Sequence, residues 1–252
     1  MAIPQIIHYC WLSDDPVPQD MQRYMATWKK HLPDYEFVKW DFTRFDINSS
    51  DWVREAFENR KYAFAADYIR MYALYTMGGI YLDMDVEVLK PYDDLLSLDY
   101  FICYENGEER VPEVATFGAS KGCEWVGRVL DYYVDRHFIM TDGTFDTKPL
   151  PQVTKAVLLD CGMTLHNIQR PEEALWGGGE LSILPFDYFS PKSYSTGKTS
   201  ITNNTYSIHQ FSGSWVPWEQ RMEHSIWKAL RLKPHRIMWH IDMCLGRLGV
   251  KR

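Results

Sequence analysis

The sequence predicts an α/β domain with a mostly parallel sheet flanked by helices, followed by a helical C-terminal tail. Three observations carry that expectation. Short runs of β-branched and aromatic residues alternate with helical stretches as far as His209, the order that builds parallel sheets. A long helical stretch stops at Gly78-Gly79, and apolar residues then recur at every second position from Ile80 to Val88, the period of a strand. Beyond Trp218 the chain turns basic and helical in pattern.

The elements follow in order. Residues 3–11 read as a buried opening strand, ended by Ser13-Asp14-Asp15-Pro16. Residues 20–31 read as a helix that closes before Pro33, and 36–40 as a second strand. Asp51 is the expected N-cap of one long helix to about Met77, with Gly78-Gly79 as its stop. In the strand that follows, Ile80, Leu82, Met84, Val86 and Val88 form an apolar face opposite Tyr81, Asp83, Asp85 and Glu87, and Pro91 ends it. Residues 101–104, 181–184 and 205–209 read as further strands, and 123–138 and 154–161 as helices. A polar loop is expected over 141–152, and one rich in Ser, Thr, Pro and Gly before the last strand.

Composition excludes several classes. With 46% hydrophobic and 15% aromatic residues in 252, the chain can offset its ordering entropy by burial, so it is not disordered, and its length suits one large domain. No run approaches the ~18 apolar residues of a membrane span. The net charge of −7 argues against a nucleic-acid partner. That charge is uneven: residues 221–252 hold eight Lys/Arg and two acids, leaving −13 on residues 1–220. The five cysteines are scattered without a C-x-x-C pair, so buried free thiols are expected rather than a zinc site or disulfide framework. The opening residues lack a charged n-region and a long apolar h-region, which points to a reducing, cytoplasmic setting.

Chemistry concentrates at Asp83-Met84-Asp85. Two carboxylates at i and i+2 near a strand end can reach one cation, and hard oxygen ligands suit Mg²⁺ or Mn²⁺. Such a cation would bridge to a diphosphate. In the preceding helix Asp67 and Arg70 stand three apart on one face. Spacing alone leaves two roles open: an intrahelical ion pair, or Arg70 on a phosphate or carboxylate with Asp67 accepting from sugar hydroxyls. His8 reads as a core histidine. Gly197-Lys198-Thr199 mimics the end of a P-loop, but Lys192 stands where that pattern needs glycine; a loop closing over a bound donor is the expected role.

Residues 65–85 (AADYIRMYALYTMGGIYLDMD), the opening IPQIIHYCW of residues 3–11 and the closing IHQFSGSW of residues 208–215 together resemble family 32 glycosyltransferases. These include bacterial capsular polysaccharide enzymes and fungal initiating mannosyltransferases. A weaker similarity reaches the clostridial glucosylating toxins. The resemblance implies a GT-A fold and a retaining transferase using a nucleotide sugar. It implies that Asp85 is the direct metal ligand, Asp83 a carboxylate touching ribose and metal, and His209 a third ligand. It implies that Asp67 and Arg70 hold the donor sugar, that Trp11 stacks on the base, and that Trp215, assisted by Ser214, contacts the diphosphate.

The expected reaction moves a hexose from a nucleotide diphosphate sugar to a saccharide hydroxyl, oligosaccharide or lipid-linked, with the α-configuration kept. No carboxylate nucleophile stands out, which favours front-face attack. UDP-galactose is the first expected donor, ahead of UDP-glucose, UDP-N-acetylglucosamine and GDP-mannose. A non-catalytic sugar-binding module and a metal-dependent phosphoesterase are the competing classes. Residues 1–220 form the expected transferase domain, with 1–110 the nucleotide-sugar half and 111–220 the acceptor half and closing loop. Residues 221–252 form a basic amphipathic tail that either packs on the domain or lies on an anionic membrane surface.

Overall fold

The chain opens with strand β1 (Ile6–Cys10), helix α1 (Gln19–His31) and strand β2 (Glu36–Trp40), where the sequence places them. Asp20 in the first turn of α1 and Lys29, Lys30 and His31 in its last complement the helix dipole. The computed structural model describes residues 2–174 and 179–212. All of these except Ser195–Gly197 and Ser212 belong to one compact unit, and the fold below is that unit. The tail of residues 221–252, the cysteine at 244, Ser214 and Trp215 lie outside the described residues.

The long helix expected over 51–77 is two helices, α2 (Asp51–Glu58) and α3 (Tyr62–Met77). Lys61 N–H donates to Ala56 O and Arg60 N–H to Phe57 O, both at 2.8 Å, with Arg60 at φ 58°. This is a Schellman stop built without glycine, so no glycine marks it in the sequence. Nor is Asp51 the N-cap: the Ser50 hydroxyl accepts from Val53 N–H. Gly78 ends α3 as expected. Gly78 and Gly79 adopt φ of +71° and +119°, and a Cβ on Gly79 would meet Ile6 O at 2.7 Å. Only glycine fits there.

The strand expected over 80–88 is broken into β3 (Gly79–Leu82) and β4 (Val86–Val88) by a turn in which Val86 N–H donates to Asp83 O at 3.0 Å. Asp is favoured at the first position of such a turn, and here that preference overrides the period of two. The remaining elements are β5 (Tyr100–Phe101), β6 (Thr116–Ala119), α4 (Glu124–Asp131), α5 (Leu150–Asp160), β7 (Thr164–Asn167), β8 (Glu180–Ile183) and β9 (Ser207–His209). Strands β6 and β7 had no counterpart in the sequence reading, and helix α5 begins inside the expected polar loop.

The main sheet has the order β2-β1-β3-β6-β5. Strands β2, β1 and β3 pair in parallel, while β6 runs antiparallel to both of its neighbours. Four strands therefore run one way and β6 the other. Because β6 sits between β3 and β5, the sheet draws on both sides of residue 110. Each face carries its own core. Ile7, Ile80 and Leu82 pack with Met21 and Trp28 of α1 on one face. Tyr81, Val38 and Phe117 pack with Trp52, Ile69, Val126 and Leu150 from α2–α5 on the other. Strand β3 is thus buried on both faces, unlike the half-acidic strand expected. The observed fold is a mixed α/β sheet flanked by helices.

His8 is buried inside this frame. Its Nδ1 accepts from the Trp40 indole N–H at 3.0 Å, which leaves Nε2–H to donate to Gly78 O at 2.8 Å. Burial holds the imidazole far below its usual range, at about 4. Among the described cysteines Cys103 is buried, but Cys161 is exposed, contrary to the expectation of uniformly buried thiols.

Candidate active site

The site is assembled at the end of β3. Leu82 is the last residue paired with β6, and Asp83 N–H extends the ladder by donating to Ala115 O at 2.9 Å. The chain then turns, so Asp83 and Asp85 stand on a turn rather than along one strand face. Strand β9 pairs antiparallel with β4, placing His209 opposite Val86, and Gln210 N–H donates to Asp85 O at 3.0 Å. In consequence Asp83, Asp85 and His209 offer ligand atoms that all lie within 4.8 Å of one another. It is the only such group of three among the described residues.

Asp83 is held from two sides. Arg70 Nη1 donates to its Oδ2 at 3.2 Å and to Val114 O at 2.8 Å, and the Tyr81 hydroxyl donates to its Oδ1 at 3.1 Å. The guanidinium lies 4.7 Å from the centre of the Tyr81 ring, a cation–π contact. Its Nη2 meets Asp67 Oδ1 at 3.1 Å. The pair inferred from the i, i+3 spacing therefore exists, and it is buried, with Asp67 8% and Arg70 5% exposed. Such a pair behaves unlike a surface bridge: the guanidinium stays charged, and the buried carboxylate depends on it to ionise at all. Burial pushes Asp67 up to about 7 even with Arg70 beside it. The role of Tyr81 follows only from this geometry, because its strand position carries no chemical signal of its own.

His209 is held by a residue the sequence reading missed. Its Nε2 lies 3.7 Å from Asp85 Oδ1, and its Nδ1 lies 3.2 Å from Oε2 of Glu113. Glu113 has no exposed surface, and its Oε1 accepts from Ala115 N–H at 2.7 Å. Burial works against charge on Glu113, but His209 and these hydrogen bonds hold its carboxyl below the usual range. Burial likewise works against charge on His209, and Glu113 and Asp85 outweigh it, raising the imidazole to about 10. A ligating histidine ordinarily donates its other ring N–H to a carboxylate, a backbone carbonyl or water, and Glu113 is placed for that role. Glu113 lies 96 residues away in the chain, and nothing local marks it.

The donor set suits a divalent cation. Two carboxylates and an imidazole combine hard oxygen with nitrogen, the mixture that accepts Mn²⁺ as well as Mg²⁺. Burial and then the charge of Asp85 raise Asp83 against the pull of Arg70, a like-charge conflict that a dication would relieve. Trp11 lies at the carboxyl end of β1. Its indole N–H donates to Asp15 O at 2.9 Å, and its half-buried ring packs beside the α1-side core. The preceding Cys10 thiol interacts with Tyr81 and Arg70. The structure thus joins Asp67, Arg70, Asp83, Asp85 and His209 into one connected set.

Comparisons with known proteins bear on the family of the chain. Residues 18–102 match the family described as "Glycosyltransferase sugar-binding region containing DXD motif", a stretch that includes Asp67, Arg70 and the acidic turn. The protein "Uncharacterized glycosyltransferase L373" of Acanthamoeba polyphaga mimivirus is 32% identical over 225 residues, covering 85% of this chain and 84% of that one. "Inositol phosphoceramide mannosyltransferase 3" of Schizosaccharomyces pombe is 33% identical over 99 residues, covering 38% of this chain. The aligned part spans only 28% of that mannosyltransferase's length. Among solved structures, "PaToxG Glycosyltransferase" superposes with a TM-score of 0.47 at 17% identity, covering 63% of this chain and 70% of that one. On the match over 85% of the chain and the shared motif region, the chain belongs to the glycosyltransferases whose sugar-binding region contains the DXD motif.

Proposed function

We propose that the protein transfers a hexose from a nucleotide diphosphate sugar to a saccharide hydroxyl, retaining the α-configuration. The observation that carries this reading is the convergence of Asp83, Asp85 and His209 beside the buried Asp67–Arg70 pair. Asp83, Asp85 and His209 would hold Mn²⁺ or Mg²⁺. When bound, the ion neutralises the charge that builds on the departing diphosphate. Arg70 and Tyr81 keep Asp83 in place, and Asp67 keeps Arg70 oriented. The carboxyl end of β1, where Trp11 stands, is the position we assign to the base. Ser214 and Trp215 complete the diphosphate contacts in this reading. Attack from the front face, with the leaving phosphate oxygen taking the acceptor's proton, requires no further carboxylate.

The family 32 type and a role in bacterial surface polysaccharide synthesis belong to the same reading, with UDP-galactose as the first donor. One observation favours a second sugar: the fungal relatives are named as mannosyltransferases of a phosphoinositol ceramide, which makes GDP-mannose its rival. Those relatives also act on a lipid acceptor by name. That supports a lipid-linked saccharide here, with the tail of residues 221–252, net +6, addressing the cytoplasmic face of an anionic membrane. No helix among the described residues is long and apolar enough to cross a membrane.

The test is nucleotide release from a panel of nucleotide sugars with Mn²⁺, using the full chain and Asp85→Ala. Release from one donor, stimulated by acceptor and lost in the variant, supports the transferase; NMR of the product's anomeric proton reads the stereochemistry. Binding without turnover on any donor would instead favour a sugar-binding module, and release of inorganic phosphate a phosphoesterase.

A further inference from the structure

We propose that Glu113 is the positioning residue of the cation site: it holds the His209 ring by Nδ1–H, so that Nε2 is the nitrogen turned toward the acidic pair. This rests on the reading that the three residues hold a divalent cation.

The geometry has three parts. Glu113 is fully buried and lies 3.2 Å from His209 Nδ1, across the ring from Asp85, which lies 3.7 Å from Nε2. Its second oxygen is committed to Ala115 N–H at 2.7 Å. Ala115 in turn presents its carbonyl to Asp83 N–H at 2.9 Å. One carboxylate therefore links the strand that carries His209 to the segment whose Ala115 carbonyl holds the Asp83 backbone. A buried carboxylate is costly unless its hydrogen bonds are satisfied; of the partners of Glu113, His209 is itself a cation ligand and Ala115 bonds the Asp83 backbone. Because a carboxylate only accepts, Nδ1 keeps its proton on Glu113, and Nε2 is the nitrogen that gives up its proton when a cation binds.

The same reasoning says what Glu113→Gln would do. The amide oxygen must stay with Ala115 N–H, which offers only a donor. The amide nitrogen then faces His209 and donates to Nδ1, so the proton moves to Nε2, the nitrogen needed for the metal. The variant is nearly isosteric, but the ring is held in the wrong tautomer. Loss of such an orienting partner costs roughly 10- to 100-fold in metal affinity.

The experiment measures Mn²⁺ binding by electron paramagnetic resonance in the full chain, without donor, for the parent protein, Glu113→Gln, His209→Ala and the double variant. The expected results are a Kd raised about 10- to 100-fold by Glu113→Gln and no further rise when it is added to His209→Ala, since Glu113 acts through that ring. An unchanged Kd in the single variant would overturn the proposal. So would an equal loss in the His209→Ala background, which is the mark of a general structural role. If the parent protein binds no Mn²⁺, the cation-site reading itself fails and this proposal with it. An arm without any Glu113 variant uses ¹⁵N-histidine NMR of the parent protein with Zn²⁺ as a diamagnetic probe, His209 being assigned by His209→Ala. Protonated Nδ1 with metal-shifted Nε2 is expected; ligation through Nδ1 would overturn the assignment.

Discussion

Replacing Arg70 by Met tests how much of the site depends on one guanidinium. The side chain is about the same length and apolar, so packing is largely kept, but three partners lose their cation: Asp67, Asp83 and the Val114 carbonyl. Breaking a buried pair by removing one member costs about 3–5 kcal/mol, and we expect a loss of about 4 kcal/mol at pH 8. The loss carries a pH signature. Unfolded, Asp67 ionises near 3.8; folded, burial raises it to about 7 although Arg70 pulls it down. A raised folded value means a stabilising contribution that is present below pH ~4 and lost as pH rises through about 7. Without Arg70 the folded value climbs further, so the variant keeps losing stability above pH 7, about 1.4 kcal/mol for each added pH unit until Asp67 ionises or the fold fails. Urea unfolding at pH 6 and pH 8.5 reads this directly. A deficit that is small, or equal at the two pH values, would refute the claim that buried carboxylates depend on Arg70.

Three further outcomes follow from single contacts. Gly79→Ala drives a Cβ against Ile6 O at 2.7 Å and His8 Nε2 at 3.0 Å in a backbone at φ +119°, so the cost should reach about 3 kcal/mol; a urea midpoint within error of the parent would contradict it. His8 should stay neutral to about pH 5 in an NMR titration of its ring protons, because its folded value is depressed to about 4. Its contribution is then present above pH 6.5 and lost, by about 3 kcal/mol, as pH falls through 4; a midpoint near 6.5 would contradict the buried tautomer. Tyr81→Phe removes one of the two side-chain hydrogen bonds to Asp83. It should weaken Mn²⁺ binding by about tenfold while costing only about 1 kcal/mol of stability; unchanged Mn²⁺ affinity in a calorimetric titration would show that Arg70 suffices.

The parts of the fold legible in the sequence are those where pattern and local chemistry agree. Strand formers and a turn mark β1, and Pro33 bounds α1. Gly78-Gly79 mark the end of α3 because no other residue fits their backbone. The misread parts are those where tertiary bonding decides. Arg60 takes a left-handed position that glycine usually fills, so the break between α2 and α3 is silent. The period of two across Ile80–Val88 hid a turn because its central residues continue the alternation by type. For the site, Asp67, Arg70, Asp83, Asp85 and His209 were all named from spacing and resemblance. Tyr81 and Glu113 were not singled out, since each acts through a side-chain contact set by the sheet: Tyr81 by facing Arg70, Glu113 by the pairing that brings β9 to β4.

The central claim is that Asp83, Asp85 and His209 form one divalent cation site that a donor diphosphate completes. Mn²⁺ electron paramagnetic resonance with and without a nucleoside diphosphate tests it most directly. We predict one Mn²⁺ per chain, bound more tightly when the diphosphate is present, and loss of that signal in Asp85→Asn. Stoichiometric binding that survives removal of both Asp85 and His209, or no binding to the parent protein, would contradict it.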